Sequence, residues 1–183
     1  MINSLSGFKS ANLVGTINTE SLTNVAIFSS AVHIGANPPL MGIISRPNTV
    51  PRHTLENIIA TEQFTINHVH SKIYQQAHQT SARYNTQSEF EATNLTPEFI
   101  NNFKAPFVQE ANIKIGLSLA DIIDIHLNNT KMIIGKIEWI SLPQNCVEQD
   151  GKINLETADT VVISGLDTYH KTTQIERLPY AKP

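Results

Sequence analysis

The feature that most constrains the fold is a long stretch of alternating apolar and polar residues at positions 113–127. A two-residue period of this kind is typical of a strand with one buried face. The pattern slips around Asp121, which predicts a β-bulge, and two asparagines that tolerate a left-handed turn follow the stretch. Residues 132–140 are therefore expected to return as the antiparallel partner strand. The predicted residues on one face of that partner are Ile133, Ile137 and Trp139.

Shorter β signals surround this hairpin. Runs of β-branched and small residues predict further strands at residues 11–18, 25–32, 40–44 and 64–69. Apolar periodicity or capping residues predict short helices at residues 54–61, at 71–78 and from Thr96 onward. Several short strands joined by turns favour a barrel, because closure removes exposed strand edges. Composition does not shift along the chain, so we expect one domain over residues 1–183, with a polar tail at about 166–183.

Composition and charge exclude several classes of protein. The 183 residues are 40% hydrophobic and 16% charged, which argues against a disordered chain. The net charge of −3 gives no basic field for nucleic acid, and no apolar run is long enough to span a bilayer. The start of the chain shows no signal-peptide pattern. The single cysteine, Cys146, is expected as an exposed thiol in a polar loop and suits a reducing compartment. We therefore expect a cytoplasmic protein without nucleic-acid or membrane partners.

A series of short motifs follows along nearly the whole chain in an order that a known family shares. The motifs are Asn12-Leu13-Val14-Gly15-Thr16, Asn24-Val25-Ala26-Ile27-Phe28-Ser29-Ser30, Pro38-Pro39-Leu40, Arg52-His53-Thr54-Leu55-Glu56-Asn57-Ile58, Phe64-Thr65-Ile66-Asn67, Thr80-Ser81-Ala82-Arg83-Tyr84, Ser88-Glu89-Phe90 and Gly165-Leu166-Asp167-Thr168-Tyr169. They resemble the landmarks of the flavin reductase-like family. The resemblance implies a mainly β fold, a six-stranded antiparallel Greek-key split barrel with flanking helices. It also implies a homodimer that binds FMN in a groove at the subunit interface.

The resemblance further assigns roles to residues of this sequence. The isoalloxazine ring would lie against Ser29, Ser30 and Ala31. The flavin phosphate would be held by Ser45, Arg46, Arg52 and Thr54. The ring or the ribityl chain would be approached by Asn67, Thr80, Ser81 and Arg83, and Tyr169 is counted among the cofactor-binding residues. The two candidates for covering the ring or donating a proton are His170 and His33.

Judged by their side-chain chemistry alone, the candidate site residues can have either cofactor-binding or structural roles. Arg46 and Arg52 flank a proline-containing loop ahead of a predicted helix, which suits a phosphate; they are equally compatible with two solvated arginines and a helix cap. Asn67 can bond a flavin edge or satisfy a sheet terminus, and Thr80 can bond the cofactor or cap a helix end. His170, like His33, can also be structural. No metal site is expected, because the histidines lack cysteine or carboxylate partners at a known ligand spacing.

The function that this sequence predicts is an FMN-dependent oxidoreductase that takes hydride from NADH or NADPH. No acid–base pair is required for such a reaction, since the cofactors carry the chemistry. An electron-acceptor protein is a further partner that this function allows. One alternative is an FMN-binding module that receives electrons from a partner protein and has little nicotinamide activity of its own. Another is a barrel without flavin that serves as a binding domain. This last alternative draws support from Arg52-His53-Thr54, because the family often has Lys-Asp-Thr there and the acid is lost.

Overall fold

The computed structural model describes residues 1–47, 52–84 and 87–182. In chain order its strands are β1 Lys9–Ser10, β2 Asn12–Ile17, β3 Thr23–Phe28, β4 Val32–Ala36, β5 Pro39–Ser45, β6 Gln63–His68, β7 Pro97–Glu98, β8 Phe107–Val108, β9 Lys114–Ile125, β10 Thr130–Ser141, β11 Val162–Ser164 and β12 Thr168–His170. Its α-helices are α1 His53–Thr61, α2 Tyr74–Gln79 and α3 Glu89–Thr93. Over these ranges, no helix has the length and apolar character needed to cross a membrane.

The main sheet closes on itself at one end. It is antiparallel and has the strand order β3-β2-β6-β9-β10-β5-β4. Its edge strands are β3 and β4, yet only residues 29–31 separate them along the chain. Because the four peptide steps between these strands span at most about 14 Å, the two edges must approach each other there. The predicted mainly β, antiparallel barrel is confirmed.

The main sheet has seven strands, whereas the resemblance implies six. The difference lies at residues 25–32, where the sequence predicts one continuous strand. The chain instead leaves one edge of the sheet after Phe28 and enters the opposite edge at Val32. The predicted strand is therefore divided into β3 and β4, and the residues between them make the closure.

The long hairpin of β9 and β10 carries the predicted bulge. Its register skips Ala120, beside the slip at Asp121 that the sequence indicates. One extra residue turns every later side chain to the opposite face of the sheet. Ile122 therefore packs against the core, while Ile123 faces outward and is 46% exposed.

A second irregularity in this hairpin corrects one prediction. The register also skips Glu138, so Trp139 does not share a face with Ile133 and Ile137. The indole ring instead meets Phe107 edge to face, with ring centroids 4.9 Å apart. Trp139 therefore helps to attach the β7–β8 segment to the sheet, a packing role of the kind expected for a half-buried tryptophan.

Two clusters of buried apolar side chains support the sheet. The first lies within the barrel and under α1, and its members include Ile43, Leu55, Ile58, Phe64 and Ile133. The second lies under α2, α3 and the β11–β12 hairpin, and its members include Leu13, Val25, Ile73, Phe90 and Ile163. Strand β2 contributes to both clusters, because its successive side chains point to opposite faces.

Two further predictions are wrong. The helix expected from Thr96 is absent, because Pro97–Glu98 pairs with Phe107–Val108 and this pairing takes the backbone groups that a helix would need. The nearest helix is α3, which begins earlier, where the Ser88 hydroxyl accepts a hydrogen bond from the Glu91 N–H at 3.3 Å. Cys146 is buried rather than exposed, because a 3-10 turn folds its side chain into the barrel cluster.

The predicted polar tail divides into two parts. Its first residues form β12, which pairs with β11. Residues 171–182 are exposed and follow the surface. Lys171 pairs with Asp159 at 3.0 Å, and Arg177 pairs with Glu148 at 2.9 Å. Two ion pairs at the surface therefore connect the tail to the rest of the chain.

Candidate functional site

The serine-bearing turn, defined as residues 29–31, lies where the barrel closes. Ser30 Oγ accepts a hydrogen bond from the Ile44 N–H at 3.0 Å and donates one to the Ile44 carbonyl oxygen at 3.2 Å. The next residue, Ser45, is buried at the end of β5, and its hydroxyl donates to the Arg46 carbonyl at 3.4 Å. All three residues of the turn, which the sequence predicts as ring contacts, are half-buried. The structure thus brings them beside the first of the predicted phosphate residues.

The arginine loop, defined as residues 46–52, connects β5 to α1. Residues 48–51 lie outside the described part of the chain. Arg46 is exposed, whereas Arg52 is half-buried and donates its Nε–H to the Pro47 carbonyl oxygen at 3.3 Å. This bond connects Arg52 to Pro47 across the loop and keeps Arg52 beside the end of β5.

Helix α1 begins immediately after the arginine loop. The N–H groups of a first helical turn have no partners within the helix and form the positive end of its dipole. Glu56 reaches back and accepts a hydrogen bond from the Arg52 N–H at 3.1 Å. Thr54, in the first turn, is buried. The helix start therefore combines N–H donors, a hydroxyl and the adjoining Arg52, a donor set that suits a phosphate.

A buried polar network, formed by Thr16, Asn24, Thr54 and Asn57, attaches the start of α1 to the barrel. The Asn24 amide donates to Thr54 Oγ1 at 3.1 Å and to Thr16 Oγ1 at 3.2 Å. The Asn57 amide donates to the same Thr16 oxygen at 3.1 Å. Asn24 belongs to one of the family motifs, but its role could not be assigned from the motif alone. The sequence does show an amide side chain at the start of an apolar strand. A polar group buried there needs hydrogen-bond partners, which indicates a structural network.

An acidic group lies near the helix start even though His53 replaces the acid of the family pattern. Glu89, at the start of α3, is half-buried. Burial raises the pKa of Glu89, while backbone hydrogen bonding and the neighbouring imidazole of His53 act in the opposite direction. The sequence does not indicate this pairing, because the two residues are brought together only by the packing of α3 against β3.

The end of α2 and strand β12 form a further group of predicted site residues. Tyr169 Oη lies 3.2 Å from His78 Nδ1, and the rings of Tyr74 and Tyr169 have centroids 5.5 Å apart. Burial raises the pKa of Tyr169 to about 12, with a smaller contribution from the charge of a neighbouring aspartate. The phenol is therefore neutral at physiological pH and can donate a hydrogen bond. Ser81 and Arg83 are exposed just beyond α2.

Two predicted site residues point into the protein instead. Asn67 donates its amide hydrogens to the Leu13 carbonyl at 3.1 Å and to Thr65 Oγ1 at 2.9 Å, and its Oδ1 accepts from the Val108 N–H at 3.0 Å. The Thr80 hydroxyl is buried and donates to a carbonyl of α2 at 2.7 Å. The structure supports the alternative for each side chain, a sheet terminus for Asn67 and a helix end for Thr80, and we do not retain them as flavin contacts.

The two candidate catalytic histidines lie in different surroundings. His170 Nε2 is 2.8 Å from the Ser164 hydroxyl, and its ring meets Phe8 edge to face at a centroid distance of 4.9 Å. These contacts account for His170 as part of the β11–β12 hairpin. His33 is exposed on β4, two residues beyond the serine-bearing turn.

Comparisons with known proteins agree with this architecture. The flavin reductase like domain matches residues 6–159 of the chain. A crystal structure of a candidate flavin reductase with split barrel domain, from Shewanella frigidimarina NCIMB 400, is 54% identical, with a TM-score of 0.95 over 98% of this chain and 90% of that one. The 2-nitrobenzoate 2-nitroreductase of Pseudomonas fluorescens is 27% identical, with a TM-score of 0.84 over 100% and 90% of the two chains. Nitrilotriacetate monooxygenase component B from Bacillus cereus shares the fold at 22% identity, with a TM-score of 0.87 over 97% and 90%.

The fold is thus the split barrel, as the sequence resemblance implies. The domain match covers most of the chain, and the Shewanella protein is similar over nearly its whole length. This chain belongs to the flavin reductase-like family.

Proposed function

We propose that this chain binds FMN beside the serine-bearing turn and the arginine loop, and that NADH or NADPH reduces the flavin there by hydride transfer. The observation that carries the proposal is the pair of hydrogen bonds between Ser30 and Ile44, which fixes the turn beside the end of β5. A ring site and a phosphate site are then adjacent at one end of the barrel. Membership of the flavin reductase-like family supports flavin as the ligand.

The residues of the arginine loop fit the phosphate of FMN. A phosphate requires positive charge and several hydrogen-bond donors, and guanidinium groups supply both in a planar arrangement. Arg46 and Arg52 provide the charge, while the N–H groups at the start of α1 provide further donors. Ser45 and Thr54 add hydroxyl groups next to them. Flavins without a phosphate, such as riboflavin, would not use this part of the site.

The serine-bearing turn fits the ring. Its three side chains are small, so the backbone N–H and C=O groups of the turn are accessible to the edge of a planar ligand. We place Tyr169, Ser81 and Arg83 on the α2 side of the ring, where the neutral phenol of Tyr169 donates a hydrogen bond. When bound together, the flavin and the nicotinamide supply the hydride chemistry, so the protein needs only to bind, orient and shield them.

An absorbance spectrum of the purified protein, recorded without oxygen before and after NADH or NADPH is added, tests the proposal. We expect flavin absorbance bands after loading with FMN, and we expect one of the two nicotinamides to bleach them by reducing the flavin. Flavin bands that neither nicotinamide bleaches would indicate an electron-transfer module fed by a partner protein. Failure to retain FMN would indicate a barrel that has lost the cofactor.

We also propose that the chain forms a homodimer through the outer face of β4, β5 and β10. Side chains of Val32, Ile34 and Met132 converge over Gly42, where an added Cβ would lie 2.7 Å from the Met132 Cε. Val32 is 44% exposed and Ile34 is 38% exposed, and the bulge in β9 brings Ile123 to the same face. A barrel wall that faces water is usually polar, so an apolar outer wall suits an interface between two copies.

Sedimentation velocity of the Ile34→Glu variant tests the dimer. We expect the unmodified protein to sediment as a dimer and the variant as a monomer, because the isologous contact places two copies of the new charge in one apolar interface. Ile59→Glu is the matched control, since Ile59 is exposed on α1 away from this face. A dimer that persists in Ile34→Glu would contradict the assignment of the interface.

A further inference from the structure

We propose that Asn24 is a positioning residue that orients the Thr54 hydroxyl and thereby makes the protein prefer phosphorylated flavin to riboflavin. The inference rests on the proposed function, because it takes the flavin phosphate to lie at the start of α1. Asn24 itself touches no ligand in this proposal. Its effect passes entirely through the hydroxyl group that it holds.

The contact joins two elements that are distant in the chain. Asn24 lies near the start of β3, and Thr54 lies in the first turn of α1. The Asn24 side-chain amide donates to Thr54 Oγ1 at 3.1 Å, and both residues are buried, at 7% and 9% exposure. Since β3 leads directly into the serine-bearing turn, this bond couples the strand that carries the ring site to the helix that carries the phosphate site.

The direction of the bond determines what the Thr54 hydroxyl can do. A threonine hydroxyl has one hydrogen to donate and two lone pairs that accept. Asn24 approaches Oγ1 from the barrel side and occupies one lone pair. The hydroxyl hydrogen is therefore left for an acceptor other than Asn24, and Thr54 lies in the first turn of α1, two residues beyond Arg52. A donor held in this way gives a charge-assisted hydrogen bond to a phosphate oxygen at the helix start without first having to be ordered.

The second hydrogen bond of Asn24 fixes its amide. Thr16 Oγ1, on β2, accepts from Asn24 at 3.2 Å and from Asn57 at 3.1 Å. The amide nitrogen of Asn24 thus has two acceptors, which sets its orientation and leaves an N–H directed at Thr54. Asn57 belongs to the same network and is equally buried, at 7% exposure, but it donates to Thr16 and has no bond with Thr54. This difference makes Asn57 a matched control.

Titration of flavin fluorescence measures the proposed effect. The dissociation constants of FMN and riboflavin are determined for the unmodified protein and for the Asn24→Ala and Asn57→Ala variants. We expect the unmodified protein to prefer FMN, and Asn24→Ala to lose about tenfold of that preference while its affinity for riboflavin is unchanged, the magnitude being that of one hydrogen bond to a charged group. Asn57→Ala should lower thermal stability to a similar extent and keep the preference.

Three results would overturn the proposal, and they can be told apart. An unmodified protein that binds FMN and riboflavin equally would refute the phosphate site itself, and with it the role of Asn24. A clear preference for FMN that survives in Asn24→Ala would refute the role of Asn24 alone. An equal loss of affinity for both flavins in Asn24→Ala, with no change in their ratio, would show that Asn24 only supports the fold.

Two further variants keep the test decisive if Asn24→Ala does not fold. Asn24→Asp preserves the size of the side chain but replaces the donor by a carboxylate, which would draw the Thr54 hydroxyl hydrogen inward. We expect it to lose the preference for FMN as well. In Thr54→Val, which has no hydroxyl, replacing Asn24 should cause no additional loss of preference, because the two residues act as one unit. An additional loss in the double variant would refute the coupling.

Discussion

The Ser30 hydroxyl fastens the barrel where it closes, and Ser30→Ala tests how much this contact contributes. The hydroxyl of Ser30 makes two hydrogen bonds with the backbone of Ile44, at 3.0 and 3.2 Å. An average intramolecular hydrogen bond contributes about 0.5–1.5 kcal/mol, and loss of one partner can leave the other group unsatisfied. Ile44 is half-buried, so water can replace part of the lost bonding. We therefore expect Ser30→Ala to lower the free energy of unfolding by about 1–2 kcal/mol.

Urea unfolding of the flavin-free protein, followed by circular dichroism, measures this loss. With a denaturant dependence of about 2 kcal/mol per M, the midpoint should fall by roughly 0.5–1 M. Ser29→Ala is the control, because Ser29 is half-buried in the same turn and lacks the bonds to Ile44. If Ser30→Ala shifts the midpoint no further than Ser29→Ala does, the proposed closure of the barrel through Ser30 is incorrect.

Three further predictions address the charge, the acid stability and the packing of the protein. Arg52→Ala should weaken FMN binding about tenfold in a fluorescence titration, whereas Arg177→Ala in the tail should leave it unchanged; equal affinities in the two variants would exclude Arg52 from the phosphate site. Burial lowers the pKa of His68 from 6.5 to about 4. Between these pH values the unfolded chain binds a proton that the folded one does not, so the free energy of unfolding should fall by up to about 3 kcal/mol from pH 6.5 to 4. The urea midpoint of His68→Gln should fall less over the same pH range than that of the unmodified protein, and an equal fall would refute the assignment to His68. In Gly135→Ala the new Cβ would lie 2.5 Å from Cζ of the buried Phe64, which should cost about 1–3 kcal/mol of stability; thermal unfolding at an unchanged temperature would refute the tight fit.

Features of the fold that depend on neighbouring residues could be predicted from the sequence. The β9–β10 hairpin is visible because alternation along one strand is a local property, and the break at Asp121 marks the bulge for the same reason. Helix α1 was predictable from its apolar periodicity. The helix expected at Thr96 does not form. A local capping pattern carries no information about the competing strand pairing with Phe107–Val108.

Features that depend on distant contacts could not be predicted in this way. Barrel closure divides the predicted strand at residues 25–32, and only the pairing of β4 with β5 reveals the division. Asn67 was a reasonable candidate by residue type, yet the direction of its side chain is set by Leu13 and Val108, which are far away in sequence. Thr80 instead donates to the Ala77 carbonyl of its own helix, the local alternative that the sequence left open. Cys146 has polar neighbours in the chain but is buried against the barrel, because burial follows the fold rather than the local composition.

A crystal structure of the protein in complex with FMN tests the proposed site most directly. We predict that density for the phosphate will lie within hydrogen-bonding distance of Arg52 and the Thr54 hydroxyl, and that the isoalloxazine ring will lie along residues 29–31. Flavin density elsewhere on the barrel, or a phosphate directed away from the start of α1, would contradict the proposal that these two segments form the flavin site.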